Sequence, residues 1–212
     1  MNYKFPHITH LDEVRAALAG NDNFFIAERP FGYVVNYRVS NNETFPRVFT
    51  AGGSAKMRDE ATRNKAILRE LRGIIFCPVT QLITRRALNK FFNLGEKEET
   101  LLKNLDFTAP HKVYTKIDGS MIIPFETNKG SGNVRWGSKM GCDTDVALAA
   151  EEFVKKNKNY QMFADWCIQE GISPIFEYTA PGKHKIVVDY DKPMLTLLTA
   201  RRMITGDYLC LT

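Results

Sequence analysis

The stretch KVYTKIDGSMIIPF, residues 112–125, decides how the rest of the chain is read. Val113, Tyr114 and Thr115 favour extended backbone, Asp118-Gly119-Ser120 breaks it, and Met121 to Phe125 resumes it. That order predicts strand, turn and strand in an antiparallel sheet. Lys116 ends the first run, and two readings of it stand open: a solvated hairpin lysine or a nucleophile. An amine attacks only when deprotonated, and an ordinary pKa of about 10.4 leaves little neutral amine at pH 7. Partial burial or neighbouring cations would activate it, and the turn would present amides to a bound ligand.

Downstream, TNKGSGN (127–133) reads as a hairpin loop and VRWGSK (134–139) as the return strand. DTDVALAAEEFVKKNKN (143–159) opens on N-cap residues and carries a stripe of Val146, Ala149, Ala150 and Phe153, so it predicts a helix. A second helix, YQMFADWCIQEG, stops at Gly171. SPIFEYTA, KIVVDY, MLTLLTARR and DYLCLT then read as a β meander. Upstream, THLDEVRAALAG places Thr9 and Asp12 at capping-box spacing and predicts a helix over 10–19. FFIAERPFGYVVNYRVS reads as two strands about Pro30-Phe31-Gly32, and ELRGIIFCP with QLITRRALNKFF as a pair turning near Pro78. Residues 41–64, with Gly52-Gly53, read as a surface excursion holding one short helix, and 95–110 as a connecting loop or short helix. The expected class is α+β: antiparallel β-sheets with flanking helices.

With 212 residues, 44% of them hydrophobic and 25% charged, the chain suits one large globular domain. Net charge is +5, which permits an anionic partner without demanding one. Cys77, Cys142, Cys167 and Cys210 are scattered without a CxxC, and the four histidines lack ligand spacing, so no metal site is expected. No signal-like segment or membrane-length apolar run is visible, and a reduced cytoplasmic setting is expected. NKGSGN lacks the spacing and the Lys-Ser/Thr of a P-loop.

Several segments in fixed order carry a resemblance: LRGIIF (71–76), KFFNL (90–94), TKIDGS (115–120), FEYTAPGKHKIV (176–187) and LTLLTARRMITGDYL (195–209). Together they resemble the adenylyltransferase domain of ATP-dependent RNA ligases of the bacteriophage RNA ligase 1 type. That family belongs to the covalent lysine nucleotidyltransferases, with DNA ligases and mRNA capping enzymes. The resemblance implies the nucleotidyltransferase (ATP-grasp-like) core of those ligases, spread over residues 1–212 as a single domain. The family's later Glu-Gly and Lys-x-Lys motifs do not follow, since Glu170-Gly171 and Lys183-His184-Lys185 fall in the wrong places. The domain is therefore expected to be incomplete at its C-terminal end and to lack a helical RNA-specificity domain.

The resemblance further implies that Lys116 accepts AMP from ATP with Mg²⁺ present, then passes it to an RNA 5′-phosphate that a 3′-hydroxyl seals. It places Tyr37, Arg72, Lys90, Phe92, Thr115, Ile117, Gly119, Lys139 and Glu177 around the nucleotide. Arg72 and Lys90 would meet phosphates, Phe92 the adenine, and Glu177 the ribose, while Thr115 and Ile117 offer backbone groups to the base. Lys139 and Arg135 would project together. Asp118 would orient the amine or cap the turn. The implied partner is RNA, with a second subunit or further fragment, and the implied setting is the cytoplasm, the host's if a phage encodes the chain.

Overall fold

The computed structural model describes residues 5–40, 43–48, 55–184 and 186–210, without the side chains of 55–60 and 183. It contains two four-stranded antiparallel sheets and four helices, the expected α+β class. Gly52-Gly53 and the end of the DYLCLT stretch lie outside the described residues.

The first sheet has the order β1-β2-β3-β4, from Phe24–Arg29, Gly32–Tyr37, Ile74–Phe76 and Ile83–Arg85. Helices α1 (Leu11–Ala17) and α2 (Ala55–Leu68) accompany it. Leu11, Val14, Phe24, Val35, Phe45, Ile67, Ile74 and Phe76 form its core. The N-cap of α1 is His10, one residue later than the expected Thr9. Glu13 closes the capping box by accepting from the His10 and Thr9 amides, at 2.9 and 2.7 Å. The excursion contains α2, which is 14 residues long, where a short helix was expected.

The second sheet has the order β6-β5-β7-β8, from Val134–Gly137, Ser120–Glu126, Ile172–Thr179 and Met194–Arg202. Helices α3 (Asp145–Lys156) and α4 (Lys158–Gln169) cover one face of it. Ile122, Trp136, Phe176, Tyr178 and Leu195 pack there against Ala147, Ala150, Val154 and Ala164. The opposite face presents Met121, Ile123 and Ile175 to Ala87 and Leu88, which follow β4. Met121 pairs with Glu177, and Ile123 with Gly137, so these residues share the face that looks towards the first sheet. No described helix is long and apolar enough to cross a membrane.

One buried triad fastens the two sheets. The Glu70 carboxylate accepts from Arg86 Nε at 3.0 Å and from Arg201 Nη1 at 2.8 Å, with all three side chains fully buried. Arg86 also donates to the carbonyls of Pro6, Met203 and Ile204.

Four expected strands are missing or shortened, for want of a partner strand or because backbone groups are engaged elsewhere. Residues 112–116 are exposed and have no ladder, since β-propensity orders a segment only against a partner strand; β5 begins at Ser120. Residues 186–190 of the KIVVDY run form no strand, because the amides of Val187 and Val188 donate to the Asp118 carboxylate. QLITRRALNKFF forms a strand only over Ile83–Arg85, after which the Arg86 amide goes to Ser173 Oγ and the Lys90 amide to the Arg69 carbonyl. From DYLCLT, the described part makes a single bridge, Tyr208 with Arg201.

Candidate active site

The expected residues fall into two groups, one on the turn before β5 and one around the end of β2. The first is built on the turn before β5. A Cβ on Gly119 would collide with the Tyr178 carbonyl and meet Thr179 Cγ2 at 3.0 Å, so this glycine is required by close approach. The contact brings the Gly119 amide to Glu177 Oε1, 3.1 Å away on β7. Burial pushes the Glu177 carboxyl above its usual range, with the Asp118 charge adding to this, although the Gly119 amide and the Lys116 charge pull it down. Lys116 therefore lies close enough to act electrostatically on Glu177 and on Asp118.

Lys116 itself is exposed and lies on an irregular segment, where the end of a strand was expected. Thr115 is exposed and Ile117 half-buried beside it. Asp118 also engages the 186–190 loop. Its Oδ2 accepts from the Val187 and Val188 amides at 2.6 and 2.7 Å, and its own amide donates to the Tyr190 hydroxyl at 3.2 Å. Those amides, Val188 first, hold the carboxyl below its usual range. Asp118 thus clamps the 186–190 loop to the Lys116 turn.

The second group surrounds Tyr37 at the end of β2. Lys139 Nζ sits 3.6 Å from the Tyr37 ring centroid. Burial pushes the Tyr37 phenol up, but a hydrogen bond and charge from Lys139, with Arg72 and Lys90 behind it, bring it below its ordinary value. Three expected cations thus converge on one expected tyrosine. Arg72 lies between α2 and β3; its Nη1 donates to the Asn89 carbonyl at 3.3 Å, and its guanidinium is 4.9 Å from the Phe91 ring. Lys90 Nζ lies 4.6 Å from the Phe92 ring centroid and 3.8 Å from Glu96. Phe92 packs at the edge of the first core, 6.4 Å from Phe45, as well as carrying the Lys90 cation on its ring. Lys90 and Phe92 share this neighbourhood although no strand holds them.

Lys139 lies in a tight turn closed by two hydrogen bonds between Ser138 and Gly141, of 2.9 and 3.1 Å. Arg135 does not join it: its Nε is committed to Glu151 of α3 at 2.6 Å. The Arg72 and Lys90 segments are joined to the first group through 86–92, because Ala87 and Leu88 pack on the face that carries Glu177. A cavity of about 830 Å³ lined by Trp136, Leu148 and Met162 lies outside both groups. Among the described residues, no three His, Cys, Asp or Glu side chains gather into a metal site.

Sequence reasoning missed Tyr190 and Arg85. Nothing in KIVVDY marks Tyr190 as a partner of the turn. Arg85 had a signal in the Arg85-Arg86 doublet, since two consecutive arginines in a short strand break the alternation of a surface edge.

The α+β arrangement of two antiparallel sheets with flanking helices is consistent with a nucleotidyltransferase-like core. The family described as RNA ligase, of the phage T4 RNA ligase 1 type, matches residues 70–211, and the chain belongs to it. A protein of Thermovibrio ammonificans named "Putative RNA ligase" is 27% identical over 199 residues, covering 94% of this chain and 46% of that protein. A protein of Autographa californica nuclear polyhedrosis virus named "Putative bifunctional polynucleotide kinase/RNA ligase" is 27% identical over 167 residues, covering 70% of this chain and 24% of its own length. The chain thus spans less than half the length of either relative.

Proposed function

We propose that the chain is the adenylyltransferase core of an ATP-dependent RNA ligase, with Lys116 as the residue that carries AMP. The observation that carries this is the Lys116 turn itself: Gly119 is pressed against β7 so that its amide meets Glu177, and Lys116 lies within electrostatic reach of the same carboxylate. Family membership supplies the reaction class.

In this reading the neutral Lys116 Nζ attacks the α-phosphorus of ATP. A P–N bond forms, the bond to the bridging oxygen breaks, pyrophosphate leaves and the amine proton passes to solvent. An RNA 5′-phosphate oxygen next displaces the lysine, leaving AMP joined to the RNA through a 5′,5′-pyrophosphate. A 3′-hydroxyl then attacks the RNA phosphorus and releases AMP. Little of this demands covalent chemistry from other side chains, since positioning and charge neutralisation carry most of phosphoryl transfer. Arg72, Lys90 and Lys139 are assigned to the triphosphate, Tyr37 and Phe92 to the nucleoside, and Glu177 to the ribose hydroxyls as an acceptor. Thr115 and Ile117 offer backbone groups to the base. Because Lys116 is exposed, the nucleotide must itself cover and desolvate the amine. Mg²⁺ belongs with the ATP phosphates as part of the substrate, and no protein ligand is assigned to it.

The test is incubation with α-³²P-ATP and Mg²⁺, followed by denaturing electrophoresis. Expected is an acid-labile, alkali-stable label on the wild type that is absent from Lys116→Ala. Label that persists in Lys116→Ala would refute the assignment, and absence of any ATP binding would refute the nucleotide site. Label that forms only when the remainder of a longer relative is added would move part of the phosphate grip to another segment.

A further inference from the structure

Arg85 closes β4, and its side chain is fully buried. Its neighbour Arg86 is paired with Glu70, but Arg85 has no carboxylate within ion-pair distance among the described residues. Burial lowers its pKa to about 9, which still leaves it protonated at neutral pH. The nearby Cys142 thiol, pushed up to about 11 chiefly by burial, stays neutral there and supplies no counter-charge. An unpaired buried cation is costly, and an apolar side chain of similar size would be cheaper at this position.

What the guanidinium holds gives it a role. Its Nε and Nη2 donate to the Gly73 carbonyl at 2.9 and 2.6 Å, and Nη2 also reaches the Lys139 carbonyl at 3.4 Å. Gly73 directly follows Arg72 on the loop that enters the first sheet. Lys139 stands on the loop that leaves the second. The two loops touch so closely at this point that a Cβ on Gly73, which has φ +87°, would run into the Lys139 carbonyl. The Phe125 ring centroid lies 5.3 Å from the Arg85 guanidinium carbon, and a Cβ on Gly137 would come within 2.7 Å of Nη1. The pocket is therefore shaped around this side chain.

We propose that Arg85 is a positioning residue that sets Arg72 and Lys139 against the nucleotide phosphates by holding the Gly73 and Lys139 carbonyls together across the two sheets. The nucleotide part rests on the function proposed above; the coupling of the loops does not. Arg85 touches no substrate and acts through the two cations whose backbones it fixes.

The experiment compares wild type, Arg85→Lys, Arg85→Gln and Lys139→Met. The first readout is ATP affinity by calorimetry. The second is the titration of the Tyr37 phenol, followed by NMR of ¹³C-labelled tyrosine and assigned with Tyr37→Phe. Lys139, Arg72 and Lys90 are the charged groups acting on that phenol, and Arg85 fixes the first two. Folding is checked by circular dichroism. Expected for folded Arg85→Lys or Arg85→Gln is a loss of about ten-fold in ATP affinity and an upward movement of the Tyr37 titration. In a Lys139→Met background the Arg85 substitution should add little, because one chain of contacts is already broken. A folded Arg85 variant with unchanged Tyr37 titration overturns the inference, as does loss of the fold in both Arg85 variants, which would make the residue a structural rivet alone. A wild type that binds no ATP, yet whose Tyr37 moves in Arg85→Lys, would refute the proposed function and leave the coupling standing.

Discussion

Glu70→Gln probes a cluster that both fastens the sheets and, through Asn89, supports Arg72. In the wild type, Glu70 Oε2 accepts from Arg86 Nε and Arg201 Nη1, and Oε1 accepts from Arg201 Nη2 at 3.1 Å and Asn89 Nδ2 at 2.9 Å. A glutamine keeps the volume but turns one acceptor into a donor that faces two other donors, and it removes the shared carboxylate charge from between two buried guanidinium groups. Removing one partner of a buried ionic cluster costs about 3–5 kcal/mol. Against a total stability of about 5–15 kcal/mol, that is about a fifth or more. With a urea dependence of about 3 kcal/mol per molar, the unfolding midpoint should fall by about 1–2 M. Burial pushes the Glu70 carboxyl up, but Arg201 and Arg86 together hold it below its usual range. A depressed folded-state pKa gives stability that is present above the unfolded pKa and lost as pH falls through the folded one. The gap between wild type and variant should therefore narrow in acid. Asn89 links this cluster to the site, since its carbonyl receives Arg72, so the folded variant should also bind ATP about ten-fold more weakly. A midpoint within about 0.3 M of wild type at neutral pH would refute the reasoning.

Glu177→Gln should abolish covalent AMP while raising the melting temperature at neutral pH. A carboxyl whose folded pKa lies above its unfolded value weakens the fold once pH exceeds that value, and the amide removes this penalty; a lower melting temperature would contradict it. Gly119→Ala should lower both the labelling rate, by ten-fold or more, and stability, by about 1–3 kcal/mol, because the methyl group meets backbone and cannot swing aside; wild-type values in both assays would count against the close approach. Asp118→Asn should deprotect the Val187 and Val188 amides in hydrogen exchange. In the wild type, that protection should persist down to a pH below the usual aspartate range and then vanish; exchange unaffected by the substitution would rule out the clamp.

Elements whose order is written locally were legible in the sequence. The hairpin of β5 and β6 and helices α3 and α4 follow from turn residues and periodicity in single segments, whereas the direct pairing of β7 with β8 replaces a meander through KIVVDY. KVYTK and KIVVDY carry the same β-forming composition as true strands, yet one has no partner and the other surrenders its amides to Asp118. Composition reports a willingness to extend, whereas a ladder needs a neighbour that one segment cannot reveal. The site was legible by residue type and not by setting. Arg72, Lys90 and Lys139 do converge on Tyr37, but Phe92 shares its role with the core, Arg135 is spent on Glu151, and Lys116 is exposed. The buried Arg85, Arg86 and Arg201 would be taken for surface cations on composition alone, because what lets them inside is a set of carbonyls and one carboxylate from distant parts of the chain.

The distribution of charge, more than the net charge, supports the polyphosphate ligand proposed above. The only carboxylate buried deep at the seam, Glu70, is held between two guanidinium groups among the described residues and has nothing left to neutralise Arg72 or Lys139. Glu96 approaches Lys90 at 3.8 Å, and the phenol of Tyr37 answers Lys139 only in part. Like charges brought together in this way weaken the folded state unless an anion joins them. A ligand that binds only the folded protein adds stability as its concentration exceeds its dissociation constant. In the function proposed above, Arg72, Lys90 and Lys139, gathered around Tyr37, would convert a small loss of stability into affinity for a multiply charged phosphate chain.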